Sequence, residues 1–142
     1  MKRITFLVLL AMAATASAAT DGTYTQGNTK KGAGVRMLVV SNTFAIKVIR
    51  FREKCTYGSD TFHDYFKFFS GTKAHLTGKV NADGTFSGKY VSQSGKLKVS
   101  GTINSPEATI KATEGGPYIF GSTKLPNHCK GSHTFLANLA TT

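Results

Sequence analysis

The apolar residues of this chain follow a period of two, and turn residues interrupt that period about every ten residues. In the segment 96–103, apolar residues and glycine occupy the odd positions, whereas lysine, serine and threonine occupy the even ones. Because successive side chains of a strand point to opposite faces, this alternation predicts strands with one buried side. No interval has room for the crossover that a parallel sheet needs. The sequence therefore predicts a single all-β domain, an antiparallel β-sandwich or small β-barrel of about 8–10 short strands.

Segment 43–51 is the strongest strand candidate, and the parity of its apolar residues changes within it. Phe44, Ile46 and Val48 are even-numbered, whereas Ile49 and Phe51 are odd-numbered. A β-bulge shifts side chains by one position in this way, so we expect a bulge in this strand. Turn signals occur at 41–42, 81–84, 94–95 and 105–107. We expect Gly-Gly-Pro at 115–117 to break the chain before the last strands, at 118–120 and 133–137.

Residues 1–18 have the pattern of a signal peptide, which does not belong to the fold. Lys2 and Arg3 precede an apolar run, and Ala16-Ser17-Ala18 supplies the small residues that signal peptidase accepts. The alternative is a buried N-terminal helix; the run is too short to span a membrane. We expect cleavage to leave a domain of residues 19–142 that is secreted or retained in the cell envelope or periplasm.

The predicted export affects the expected oxidation state of Cys55 and Cys129, the two cysteines of the chain. In an oxidising compartment a pair of cysteines typically forms a disulfide. A metal site with His128 or His133 is the alternative, but structural zinc sites use four closely spaced ligands, and the chain lacks a C-x-x-C pair. We therefore predict a Cys55–Cys129 disulfide, with no metal and no other cofactor.

Several short motifs follow one another along the mature chain. They are a Gly-x-Tyr opening at 22–24, Phe-x-x-x-Cys at 51–55, Asp-Gly-Thr-Phe-Ser-Gly at 83–88, Val-Ser-Gly at 99–101 and Cys-x-Gly-Ser-x-x-Phe-x-Ala at 129–137. In this order they resemble those of small exported all-β proteins of unknown function from bacteria of the actinobacterial type. The resemblance implies an exported all-β fold with one cysteine pair, and it implies no activity. The chain differs from that pattern in its strong positive charge and in the aromatic insert around Tyr65 to Phe69.

Positive charge is the main indication of function. The chain carries a net charge of +11, and the loss of the two cations in the signal peptide leaves +9. Such an excess attracts polyanions at long range. Arg50, Arg52 and Lys54 are spaced by two, so they share one face of a straight strand. We predict that these three cations contact phosphate or sulfate groups. We expect Glu53, between them, to form a local ion cluster with Arg52 and Lys54.

Residues 62–69 read Phe-His-Asp-Tyr-Phe-Lys-Phe-Phe, with aromatic residues on both faces of the predicted strand. The segment is either a strand buried on both sides or an exposed aromatic surface for sugar rings, lipid or a protein. We take Tyr65, Phe66 and Phe68 as candidate apolar contacts. Nucleic acid would use the same stacking and charge, but export makes it an unexpected natural partner.

Patterns of catalytic residues are sparse. His63 lies between Asp60 and Asp64, and this group alone combines an imidazole with nearby acids. Ser87 lies between glycines but on a predicted hairpin strand, not at a strand-to-helix elbow. The sequence therefore favours a non-catalytic binding module for an anionic polymer, a lipid headgroup or an acidic protein surface. The alternatives are a secreted hydrolase using His63 with Asp60 or Asp64, and a secreted inhibitor or effector that binds another protein through residues 62–69.

Overall fold

The computed structural model describes residues 19–120 and 123–140, although not the side chains of 118–120 and 123–127. The predicted signal peptide, residues 1–18, lies outside the described residues. Strands are the only regular secondary structure among the described residues, and none of these residues belongs to a helix that could cross a membrane. The strands are β1 (Gly22–Gly27), β2 (Gly34–Val40), β3 (Thr43–Tyr57), β4 (Asp60–Phe69), β5 (Thr77–Lys79), β6 (Thr85–Ser92), β7 (Gly95–Asn104), β8 (Glu107–Phe120) and β9 (Thr123–Leu139).

These strands form one antiparallel sheet that curls back on itself. Eight of them follow the order β4-β3-β2-β1-β9-β8-β7-β6. The short β5 pairs with the start of β3, and a bridge between Val80 and Phe86 connects it to β6. The pairings thus make a circuit, as in a small barrel. The predicted all-β antiparallel fold with one Cys55–Cys129 disulfide is confirmed.

The two ends of the curled sheet differ in circumference. At the wide end, β1 and β2 lie between β3 and β9. At the narrow end, residues 53–55 of β3 pair directly with residues 129–131 of β9, and the disulfide joins the two strands. The narrow end is therefore built from β4, β3, β9, β8, β7 and β6. The rings of Phe68 on β4 and Tyr90 on β6 lie 5.1 Å apart and connect the two outer strands of this order.

Aromatic and aliphatic side chains fill the interior of the sheet. Tyr24, Phe44 and Phe51 are fully buried. Glycine makes room for the rings at two positions on β6 and β7. A Cβ atom on Gly88 would lie 2.9 Å from the Phe44 ring, and a Cβ atom on Gly101 would lie 2.8 Å from the Phe86 ring. Larger residues at these two positions would therefore displace the core.

The β2–β3 hairpin and the bulge in β3 are both confirmed. Ser41 and Asn42 form the turn and have φ values of 47° and 57°, in the left-handed region that two-residue hairpin turns require. Met37 pairs with Ile46, whereas Arg36 pairs with Val48, so Lys47 is the extra residue of the bulge. The bulge lies where the second neighbour of β3 changes from β5 to β4.

The expected break at 115–117 is wrong. β8 runs without interruption from Glu107 to Phe120 and pairs with β9 along this length, with a change of register after Pro117. Gly116 serves close packing, because a Cβ atom there would lie 2.9 Å from the carbonyl carbon of Ser94. Proline is tolerated here because the ladder of hydrogen bonds is already irregular.

Candidate anion-binding surface

β3 places Arg50, Arg52 and Lys54 on one outward face, as the spacing predicts. The intervening Phe51 is fully buried, whereas Arg52 and Lys54 are exposed and Arg50 is half-buried. The register of β4 adds outward-facing side chains opposite each of them: Lys67 pairs with Arg50, Tyr65 with Arg52 and His63 with Lys54. On the other side, Lys130 of β9 pairs with Lys54. Opposed residues of neighbouring strands share a face, so these groups form one basic surface with an aromatic ring within it.

Arg50 is held in place by two contacts. Its guanidinium carbon lies 3.8 Å from the centre of the Tyr65 ring, a cation–π contact. Its Nη1 donates a 2.9 Å hydrogen bond to the carbonyl oxygen of Gly32 in the β1–β2 loop. Its Nε is buried and lacks a hydrogen-bond partner among the described atoms. Arg50 therefore orients Tyr65, and Arg52 and Lys54 offer the freer charges to a ligand.

The aromatic segment divides between the two faces of β4. Phe68 is buried, and Phe66 is half-buried with its ring 5.3 Å from that of Phe51. Tyr65 and Phe69 point outward, with 39 % and 58 % of their surfaces exposed. Of the three aromatic residues predicted as contacts, Tyr65 alone lies on the face of the cations, and Phe66 and Phe68 pack inside the sheet.

Phe69 is an outward-facing aromatic residue that the sequence reasoning missed as a contact. It lines a groove of about 500 Å³ whose other walls include Arg36, Leu38 and Lys47. The parity of β4 could have identified it, since Phe69 lies on the same face as Tyr65. Lys67 and Lys130 were missed as well. The disulfide could have identified Lys130, because pairing Cys55 with Cys129 on antiparallel strands sets Lys54 opposite Lys130.

Glu53 does not join the cations, which corrects the expected ion cluster. Its odd-numbered position faces inward, toward the carboxyl of Glu114 on β8. Burial, and then the neighbouring Glu53 carboxyl, raise the pKa of Glu114 to about 8. Burial also raises the pKa of Glu53, and the Asp64 carboxylate adds to that effect. The three acids line a pocket of about 260 Å³ beside β4, together with Tyr65, Lys67, Ser94 and Pro117.

The acid–base group His63, Asp60 and Asp64 is not assembled by β4. Asp60 and Asp64 occupy even positions, whereas His63 occupies an odd one and points to the opposite face. Asp64 pairs with Glu53 and lines the same pocket as Glu53, whereas His63 pairs with the outward-facing Lys54. An imidazole and a carboxylate on opposite faces of a strand cannot share a proton directly.

Among the described residues, one group has the spacing of metal ligands: Glu53, Cys55 and Cys129. The two sulfur atoms are bonded to each other, so neither is a thiolate that can coordinate a metal. His128 is exposed, and the ring of His133 stacks 4.4 Å from that of Phe135. These side chains therefore do not make the metal site weighed as the alternative to the disulfide.

Comparison with known proteins adds no assignment to this geometry. No family model, curated protein or solved structure matches the chain.

Proposed function

We propose that the protein is exported and acts as a non-catalytic binding module, holding an anionic partner of the cell envelope on the outward face of β3 and β4. The observation that carries the proposal is the common face of Arg52, Lys54 and Tyr65, with Arg50 stacked on the tyrosine ring. The disulfide supports export, since such bonds persist in oxidising compartments.

Each side chain has a distinct role in the proposed contact. The planar guanidinium of Arg52 suits two oxygens of one phosphate or sulfate group, and the ammonium of Lys54 adds a mobile point charge. Tyr65 offers an exposed ring edge to the apolar part of the partner. Because these groups are largely exposed, their attraction depends on the ionic strength of the medium.

The test is binding of fluorescently labelled long-chain polyphosphate and of phosphatidylglycerol vesicles, measured at low and high NaCl. We expect saturable binding to at least one probe, weakening as salt rises. The Arg52→Gln, Lys54→Gln variant should lose about tenfold in affinity. The matched control is Lys73→Gln, Lys79→Gln, which removes two exposed cations from the loop after β4 and from β5.

Two results would overturn the proposal. One is the absence of binding to both probes at low salt. The other is equal affinity of the Arg52→Gln, Lys54→Gln variant and its control, because the attraction would then follow net charge and not this face. A protein partner bound through Tyr65 and Phe69 would show little dependence on salt, which separates the effector alternative.

A further inference from the structure

Three strands on the other side of the narrow end carry a second set of cations. Lys89 on β6 pairs directly with Lys98 on β7, and Lys96 lies two residues before Lys98 on the same face. Lys98, more than Lys89, lowers the pKa of Lys96, as expected when ammonium groups crowd one another. Like charges placed opposite each other destabilise a sheet. An anion bound among these ammonium groups would offset that repulsion.

The second set of cations surrounds a shallow cleft. The cleft has a volume of about 500 Å³, and the residues that line it include Lys89, Lys98, Lys111, Ser87, Ser100 and Thr113. Most of its wall is aliphatic carbon, as expected where lysine stems lie along a sheet. The ammonium and hydroxyl groups of these side chains are the donors that a phosphate or sulfate group would meet here.

The register of the strands connects this cleft to the face of β3 and β4. Lys54 pairs with Lys130, Lys130 with Gly115, and Gly115 with Lys96, which forms one row across four strands. The glycine adds no side chain between the two lysines. With neighbouring strands about 4.8 Å apart, the surface from β4 to β6 spans about 24 Å. We call this surface the basic belt: Arg50, Arg52, Lys54, Lys67, Lys89, Lys96, Lys98, Lys111 and Lys130.

Most acids lie off the outward face that carries the basic belt. Glu53, Asp60, Asp64 and Glu114 occupy the inward parity of β3, β4 and β8. Asp21, Asp83 and Glu107 lie at the wide end, near the β2–β3 turn, in the β5–β6 turn and at the start of β8. Within the described residues, acids approach the belt at β4, where Glu53, Asp64 and Glu114 line one pocket with Lys67 and Tyr65.

The shape of the belt decides between kinds of anion. A surface that curves around the narrow end cannot meet a flat bilayer along its whole length. A flexible chain can follow the curve and place successive charged groups at successive lysines. A single small anion would use one part of the belt and leave the other cations unneutralised.

We propose that the basic belt is one continuous track for a linear polyanion bearing phosphate or sulfate groups, with the Lys89–Lys98–Lys111 cleft holding one of those groups. This inference rests on the proposed function, whose β3–β4 face becomes one half of the track. It names the partner as a polymer long enough to span both halves.

The experiment compares the binding of tripolyphosphate with that of long-chain polyphosphate. It uses the wild-type chain and three double variants. Two of them change the belt, Lys89→Gln with Lys98→Gln and Arg52→Gln with Lys54→Gln, and the control is Lys73→Gln with Lys79→Gln. The wild type should bind the long chain about tenfold or more tightly than tripolyphosphate at equal phosphate concentration. Both belt variants should weaken long-chain binding and reduce the slope of log K against log salt by about 2. Circular dichroism confirms that each variant is folded.

The outcomes separate this inference from the proposed function. One outcome is that the double variant Arg52→Gln with Lys54→Gln binds long-chain polyphosphate more weakly, whereas Lys89→Gln with Lys98→Gln binds it as the control does. The proposed function then stands and the continuous track is overturned. If the two probes bind equally well per phosphate, the track is overturned as well. If phosphatidylglycerol vesicles bind more tightly than the long polymer, the partner is a membrane surface and not a linear chain. If no anion binds, both proposals fall.

Discussion

Glu53 and Glu114 are the residues whose ionisation the fold changes most. Each carboxyl is half-buried and lies near the other, in a pocket that Asp64 and Cys129 also line. The pKa of Glu114 rises to about 8, so the folded protein keeps a proton that the unfolded chain releases near pH 4.5. Between these values the native state binds more protons than the unfolded state, and stability falls as pH rises.

The change Glu114→Gln removes this loss of stability. Above pH 8 we expect the variant to have the higher melting temperature, because it buries a neutral amide where the wild type must bury a second charge. Near pH 3 the difference should disappear, since Glu114 is then protonated in both states. Thermal unfolding from pH 3 to pH 9 measures the difference.

The control for this prediction is Glu107→Gln, which changes an exposed acid at the wide end. Its difference from the wild type should not grow from pH 4.5 to pH 9 as that of Glu114→Gln does. If Glu114→Gln were the less stable chain at pH 9, the inward carboxyl would not be a cost to the fold.

At the scale of single residues, the sequence predicts which face of a strand a side chain lies on better than it predicts which residues that side chain contacts. The outward position of Arg50, Arg52 and Lys54 follows from a period of two within one strand. The nearness of Glu53 to Glu114 cannot be predicted in this way, because Glu114 lies on a strand far along the chain. The same limit applies to Phe66 and Phe68, whose burial depends on what covers β4.

Among the strand pairs, the β6–β7 hairpin shows that moving the turn by one residue changes which side chains lie opposite each other. A turn at 94–95 would set Lys89 opposite Ser100, whereas the structure turns at 93–94 and sets Lys89 opposite Lys98. A shift of one residue in the turn changes every cross-strand pair. The second half of the basic belt could therefore be predicted only from the correct register.

The change Lys98→Gln should stabilise the protein. It relieves the repulsion with Lys89 and Lys96, and it leaves the outward face polar. We expect the free energy of unfolding in urea to rise at low ionic strength. The gain should shrink in high salt, because the repulsion is then screened. If Lys73→Gln raised the free energy of unfolding by the same amount, the stabilisation would result from the lower net charge alone.

β8 was mispredicted because glycine and proline have two meanings in a strand. Both are typical of breaks, yet both also occur where backbones approach closely or where the register shifts. Gly116 lies against the backbone of residues 94–95, and Pro117 precedes a shift in the β8–β9 register. These contacts are long-range, so the sequence favoured the wrong alternative there, whereas the 41–42 turn was local and was predicted.

For the whole molecule, the disulfide is the covalent link at the narrow end. It joins β3 to β9 where β1 and β2 no longer separate them, across a sequence separation of 74 residues. Loop-closure entropy for a separation of this size gives about 4.5 kcal/mol. That amount is a large part of the stability of an ordinary domain.

The double change Cys55→Ser, Cys129→Ser should therefore lower the urea midpoint by an amount that corresponds to about 4 kcal/mol. The reduced wild type should behave in the same way, which makes it the matched control. A loss below about 1 kcal/mol would mean that non-covalent pairing of β3 with β9 holds the narrow end.

The bulge at Lys47 determines which residues of β3 face the solvent, and therefore the charge that this strand adds to the surface. Before it, the even positions of β3 lie in the core, and after it the odd positions do. If Lys47 were an ordinary paired residue of β3 instead of the bulge residue, the arginines after it would be directed inward and Phe51 toward water. Deleting Lys47 should therefore remove the bulge and leave the residues on both sides on their present faces, whereas a deletion elsewhere in β3 should shift the register of the strand by one residue.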